Sequence, residues 1–481
     1  MTSELHSIYL NHSMLNIHFL GAAGQVTGSK YFVYTSTSRG FLLDCGLFQG
    51  PPELSQMNRL PLPIPIGAIA NVLITHAHLD HVGYLPHVVR DGYGGNIFAT
   101  EETIEIAGFV LRDSAKLQEE DAKNANRHGW AKHKPAIPLY TSEDAEQTIS
   151  LLSQVQRYKK KILPDNISAE YFNAGHILGS CSIRIEKRYD DKEPLSILFS
   201  GDIGRRTPIY LKPKDNAPQA DYVICESTYG DRLHKAVDPK DELRDVVLDA
   251  VKSSSMLIIP AFAVDRSQEL LFCLNALMRD GQIPIIKTYI DSPMATGVTN
   301  IYDKFTSEHT FSKEELAEPD KNPLRFQSLK FIKNPEESKQ LNDLNGPAII
   351  ISASGMATGG RVMHHLLNRL PKTDTIVLLT GYQAEGTLGR SLIEGEKYVH
   401  IHGAQVQVKA RIKTLNSYSG HADQGEIMDW LKTMPKPPKK IFLTHGEDKA
   451  RLALKTKIES ELKWNVEMPH LGWSFDLESS D

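Results

Sequence analysis

Five short apolar runs in this chain each end on an acid or a histidine: FLLD at 41–44, VLITH at 72–76, ILFSGD at 197–202, YVICE at 222–226 and IFLTH at 441–445. β-Branched and aromatic residues dominate them, and their length is that of buried strands. A chain that repeats this pattern is predicted to gather carboxylates and imidazoles at one rim of a sheet. Its 481 residues exceed one ordinary core and suggest roughly two to three domains. Hydrophobic residues at 41% and charged residues at 23% exclude a disordered or fibrous chain. No apolar run approaches the roughly 18 residues needed to cross a bilayer, so no membrane role is expected.

The N-terminal MTSELHSIYLNHSML has no basic flank and no apolar core, so it does not read as a signal peptide. Cys45, Cys181, Cys225 and Cys273 lack CxxC spacing, which argues against a disulfide framework or a thiolate zinc site. A reduced, cytoplasmic setting is expected. The net charge of -5 counts against a nucleic-acid binder, unless many of the acids sit on metal.

A second series of runs lies inside the first. MLIIPA (256–261), IPIIKTYI (283–290), AIIISAS (348–354) and TIVLLTG (375–381) each lead into a loop and then a helical pattern. VDRSQELLFCLNALMRDG places Leu270, Leu274, Leu277 and Met278 on one face, with Asp265 as the expected N-cap and Gly281 near the stop. Strand, loop and helix in repetition predict a parallel α/β sheet with its own core. It is an insertion, because IFLTH returns only near the end. The expected boundaries are 1–230, 231–418 and 419–481. The Pro-rich stretch 51–67 reads as an extended loop. The charged stretch 112–165 reads as helical, and its mixed signs favour a solvated face over an RNA contact.

The strongest chemical signal is HAHLDH, which supplies His76, His78, Asp80 and His81 directly after a strand. Residues two apart in extended chain point the same way, so His76 and His78 can chelate one ion while Asp80 and His81 face another. Imidazole with carboxylate suits zinc, and also manganese or iron. A solvated His-rich loop is the alternative, disfavoured by the buried strand before it. His176 in NAGHILGS and Asp202 in FSGDIG complete the set, Asp202 by bridging. Asp44 in LLDCG reads as a carboxylate that orients a ligand.

These residues resemble the four motifs of the metallo-β-lactamase fold, and three later segments resemble the β-CASP nucleases: Glu226 in CESTYGDR, His421 in SYSGHADQ and His445 in LTHGE. SGMATGG and GYQAEGTLGR are further family-like segments. The resemblance covers nearly the whole chain, toward the RNA-cleaving bacterial and archaeal members and the nuclease subunit of pre-mRNA 3′-end cleavage. It implies an α/β fold: a metallo-β-lactamase αββα sandwich with an inserted parallel-sheet β-CASP domain. It also implies two zinc ions per chain, one on His76, His78, His176 and Asp202, the other on Asp80, His81, the bridging Asp202 and His445. The N-terminal KH modules of some archaeal relatives are not expected here.

The implied activity is hydrolysis of single-stranded RNA by a hydroxide activated between two metals. His421, outside the ligand set, is the expected proton donor to the leaving oxygen, with Glu226 orienting it. Asp80 serves both as ligand and in catalysis. In the insert, Ser292, Ser354, Gly355 and Met356 lie at strand-to-helix junctions suited to phosphate, with Arg361, Arg390 and Arg266 adding charge. Lys409, Arg411 and Lys413 alternate along VKARIK as an outer RNA contact. Endonucleolytic attack is expected, from a cleft that no additional module closes. The alternatives are a 5′-to-3′ exoribonuclease, a DNA nuclease, a small-molecule hydrolase and a non-catalytic scaffold subunit. A homodimer is a further expectation.

Overall fold

A computed structural model describes residues 15–35, 39–129, 134–234, 237–311, 322–381, 383–384, 386–415 and 418–478. Residues 1–14, all but the last of the N-terminal stretch read above as no signal peptide, lie outside them, as do Tyr382 and Glu385 of GYQAEGTLGR. The chain forms two compact units. One comprises Met1–Thr207, Pro213–Leu233 and His421–Asp481; the other comprises Pro208–Lys212 and His234–Gly420.

Among the described residues, the first unit holds two seven-stranded sheets. Leu15, Ile17, Val33 and Phe41 of one sheet share a core with Ile183, Ile197, Phe199 and Ile224 of the other. The outer face of the second sheet, through Val223, Ile441 and Leu443, packs on Ile427, Leu431, Leu454 and Ile458 of two helices. Strand polarity then decides where the chemistry falls. Gly40–Leu43 runs parallel to Ile69–Leu73, so Asp44 and the HAHLDH box leave the sheet side by side. Leu195–Phe199, Tyr222–Glu226 and Lys440–Thr444 are also mutually parallel, which brings Asp202, Glu226 and His445 to one edge.

The Pro-rich stretch departs from its extended expectation. Pro52–Gln56 is a short α-helix and Met57–Arg59 a 3-10 turn, because Pro52 sits in the first turn, where a missing N–H costs nothing. The charged stretch is helical only in part. Glu101–His128 and Ser142–Ser150 are helices, but Lys161–Leu163 is a strand paired antiparallel with Ile167–Ala169. Asp165 and Asn166 make that turn with φ of 61° and 56°, a left-handed conformation that Asp and Asn tolerate.

The second unit is built on a six-stranded sheet, parallel throughout. It is covered on both faces, as uninterrupted apolar runs require. In Ala348–Ser352, Ile349 and Ile351 enter one core while Ile350 enters the other. The strand expected over 283–290 is shortened to Thr288–Ile290, since Pro284 cannot donate to a ladder. Asp265 stands before helix Arg266–Arg279 but makes no cap. With φ of 68°, its carboxyl instead accepts from Tyr302 Oη (3.2 Å) and Tyr210 Oη (3.4 Å). Tyr210 belongs to the excursion Pro208–Lys212, which the sequence did not signal. Among the described residues, no helix is long and apolar enough to cross a membrane.

Candidate metal centre

Strand Ile69–Leu73 ends just before the box, and His78 is the residue preceding the short helix Leu79–Val82. His76 and His78 therefore lie on extended chain, while Asp80 and His81 turn into the helix. Residues 44–47 pack against this segment through backbone bonds: Cys45 N–H donates to His81 C=O (2.7 Å) and Leu47 N–H to Leu79 C=O (3.1 Å). The approach is so close that a Cβ on Gly46 would lie 1.6 Å from the Asp80 carbonyl oxygen, so only glycine fits there.

Four side-chain atoms converge first. His78 Nδ1 is 3.1 Å from His76 Nε2 and 3.2 Å from His176 Nε2; Asp202 Oδ2 is 3.4 Å from His76 Nε2 and 3.5 Å from His176 Nε2. A second group adjoins it. His445 Nε2 is 3.3 Å from His81 Nε2 and 3.4 Å from Asp80 Oδ2, and Asp202 Oδ1 lies 3.4 Å and 3.6 Å from the two rings. Ligands at roughly 2.0–2.1 Å around one tetrahedral zinc stand about 3.3 Å apart, so both groups have the spacing of a donor set. The two oxygens of Asp202 face different groups. Oδ1 is buried and has no hydrogen-bond donor among the described residues, an unsatisfied anion that a cation would satisfy.

The far nitrogens of several rings are held. His81 Nδ1 is 2.8 Å from Asp44 Oδ2, and Asp44 also accepts from Thr75 N–H and Thr75 Oγ1, each at 2.8 Å. With its proton on Nδ1, His81 keeps the Nε2 lone pair for the ion. Thr228 Oγ1 holds His445 Nδ1 at 3.0 Å, and Thr75 Oγ1 holds His76 Nδ1 at 3.0 Å. Ser180 Oγ accepts from the His176 backbone N–H at 3.0 Å and fixes that loop. Burial, then the charge of neighbouring rings, pushes His76 and His78 well below their usual range, which leaves them neutral lone-pair donors. His81 behaves oppositely. Burial disfavours its charged form, but Asp202, Asp44 and Asp80 together hold its proton well above the usual range. A bound cation would take that proton's place.

His421 stands beside both groups. Its Nδ1 lies 3.2 Å from Glu226 Oε1, and its ring centroid is 4.5 Å from that of His176. Burial opposes its protonation, but Glu226, by charge and hydrogen bond, with Asp202 and Asp80, raises it to about 9. Glu226 is itself buried and accepts from the Ile203 N–H at 2.6 Å. All ten residues expected at the metal and proton-transfer site thus fall in the first unit and converge.

The residues expected to bind phosphate fall in the second unit, at the carboxyl ends of its strands. Ser292 caps helix Pro293–Lys304 through the Ala295 N–H, and Ser354 Oγ accepts from the Thr358 N–H. Gly355 and Met356 meet the 383–390 segment, their carbonyls accepting from Gln383 Nε2 and the Gly389 N–H. The cations are less available than expected. Arg266 is buried and paired with Glu269, Arg361 bonds the buried Asp291 at 2.7 Å, and Arg390 bonds Glu394 at 2.6 Å. Arg411 and Lys413 both engage Asp249, and Lys409 lies outside strand Arg411–Leu415. Asp291 and Asp249 lie far along the chain from the cations they hold, whereas Glu269 and Glu394 stand three and four residues after Arg266 and Arg390.

Sequence reasoning missed Thr75, Thr228 and Ser180. The one available signal was the repeated Thr-His at the ends of VLITH and IFLTH, which marks Thr75 but not the others.

Three family models match the chain. Residues 24–243 match the metallo-beta-lactamase superfamily, 267–392 the Beta-Casp domain, and 405–469 the Zn-dependent metallo-hydrolase RNA specificity domain. The chain is 35% identical to Ribonuclease TTHA0252 of Thermus thermophilus, over 90% of this chain and 94% of the relative. It is 30% identical to an RNase J-like protein of Methanocaldococcus jannaschii, over 95% and 99%. The transcription termination factor FttA of the same archaeon is 27% identical over 90% of this chain and 67% of its own length. A crystal structure of a protein of unknown function from Enterococcus faecalis shares the fold with a TM-score of 0.51 at 12% identity, covering 96% of this chain and 100% of that one. The chain belongs to the β-CASP family of metallo-β-lactamase-fold hydrolases.

Proposed function

We propose that the protein is a ribonuclease that hydrolyses internal phosphodiester bonds of single-stranded RNA with two zinc ions. His76, His78 and His176 would hold one ion, Asp80, His81 and His445 the other, and Asp202 both. The observation that carries this reading is Asp202, which turns each carboxylate oxygen to a different cluster while His421 stands outside both. The relatives named as ribonucleases and the matched RNA specificity domain support RNA as substrate.

Bound ions supply a nucleophile at neutral pH and countercharge for the phosphoryl oxygens. The remaining need is a proton for the departing alkoxide. With Nδ1 engaged by Glu226, His421 carries its transferable proton on Nε2, and Glu226 stabilises the imidazolium before transfer. Asp44 acts through His81, which it orients. Internal attack needs only the scissile phosphate, and nothing in this donor set calls for a chain end.

Removing Asp202 takes one ligand from each ion, so Asp202→Ala should deplete both together, as read by metal analysis of the purified protein. A full complement of two ions in that variant would end the bridging role.

His421→Ala should keep its metals and its RNA affinity and lose about 10² to 10⁴-fold in cleavage rate, the range for general acid catalysis. A phosphorothiolate leaving group, which needs little protonation, should restore much of that loss. Without such rescue, His421 would be a phosphate-binding residue instead.

Mode of attack is read with circular single-stranded RNA, which has no end to enter. Cleavage of the circle is expected. An intact circle beside a linear RNA degraded from its 5′ monophosphate would assign a 5′-to-3′ exonuclease.

A further inference from the structure

Two basic residues that follow Asp202 in the chain face acids, and buried Lys30 donates to the Gly28 and Gly46 carbonyls. After Asp202, Arg205 Nε lies 3.8 Å from Glu426 and the Arg206 guanidinium rests on Asp429. Lys214 is different. Its Nζ donates to the Gly204 carbonyl at 2.7 Å, two residues past Asp202, and no carboxylate lies within ion-pair reach among the described residues. An ammonium has three donors, and a neutral carbonyl takes one of them.

The loop that carries Lys214 is fixed. Asp215 N–H donates to the Asn173 carbonyl at 2.9 Å, and Asp215 Oδ2 accepts from the Asn173 N–H at 2.7 Å and from Tyr158 Oη at 3.0 Å. The loop also packs against the loops that carry His176 and Asp202. A Cβ on Gly175, the residue before His176, would stand 2.7 Å from the Lys214 backbone nitrogen, and one on Gly204 would stand 1.8 Å from the Gly175 carbonyl oxygen. Three loops are therefore stacked, bearing His176, Asp202 and Lys214 in turn. Among charges, Glu426 acts on the ammonium most, opposed by Arg206, with smaller contributions from Glu226, the carboxylate bonded to His421, and Asp423. Burial is the main influence on the ammonium and lowers it to about 8. It is partly exposed, so a ligand can reach it.

We infer that Lys214 is a substrate-binding residue, whose ammonium takes an RNA phosphate adjoining the one that is cleaved. The inference rests on the ribonuclease reading and adds to it a phosphate contact supplied by the hydrolase unit itself. A phosphate oxygen would fill the donors that Gly204 leaves open, and the fixed loop loses little freedom when it binds.

Lys214→Met, loaded with zinc, tests it against two substrates: a short single-stranded oligoribonucleotide, and bis(p-nitrophenyl) phosphate, a diester with no neighbouring phosphates. The variant should keep its metal content and its rate on the small diester. Its KM for RNA should rise about tenfold with kcat little changed, and the slope of log affinity against log salt should shrink by about 0.7, one single-strand phosphate contact. Lys214→Arg should restore the RNA KM. Unchanged RNA KM and salt slope would overturn the inference. So would loss of zinc or of small-diester hydrolysis, which would make Lys214 a strut for the Gly204 loop; if the Met variant does not fold, Lys214→Gln reads the same quantities. Wild-type protein that hydrolyses the small diester but neither binds nor cuts RNA would end the ribonuclease reading itself, and the Lys214 contact with it.

Discussion

Asp202 is a buried carboxylate with imidazole nitrogens on both sides and an oxygen that no hydrogen-bond donor satisfies among the described residues. An ionised carboxylate in that position is costly unless compensated, and a cation among the surrounding imidazoles would compensate it. The rest of the first unit follows from supplying the partners. Parallel strands deliver Asp202, Glu226 and His445 to one edge, and a second sheet delivers Asp44 and the HAHLDH box. Each imidazole needs one nitrogen held so that the other is free, which explains why small hydroxyl residues and Asp44 line the outer side.

Much of this was legible in the sequence because strand ends are local. A run of β-branched residues closed by His or Asp states both that a strand ends and that a polar group stands at the rim. The insertion was legible for the same reason, since AIIIS and TIVLLT read as strands buried on both faces. What was not legible depended on partners far along the chain. Arg361 and Arg411 read as phosphate-contacting cations, yet Asp291 and Asp249, distant in sequence, stand beside them in the folded unit. Asp265 had the right residue type for a helix cap, but the tyrosines of two other segments draw its carboxyl inward. Lys214 gave no signal at all, because its significance lies in stacking against Gly175 and Gly204.

The two units divide the work by chemistry. The ten residues expected at the candidate metal centre and for proton transfer all belong to the first unit. The strand-end loops of the insert offer hydroxyls and backbone amides rather than unpaired guanidinium groups. A single-stranded RNA is suited to such a surface, since its phosphates recur regardless of sequence and modest contacts sum along the strand. Lys214, whose ammonium donates to the carbonyl of Gly204 two residues past Asp202, is a basic group on the hydrolase side.

The central claim is that two ions share one carboxylate and that hydrolysis of RNA requires both. Titrating zinc into metal-free protein tests it most directly, with binding followed by calorimetry and cleavage of a labelled single-stranded RNA followed in parallel. Two equivalents should bind per chain, with cleavage rising only as the second is taken up. Saturation at one equivalent, or full cleavage with one ion bound, would contradict the account.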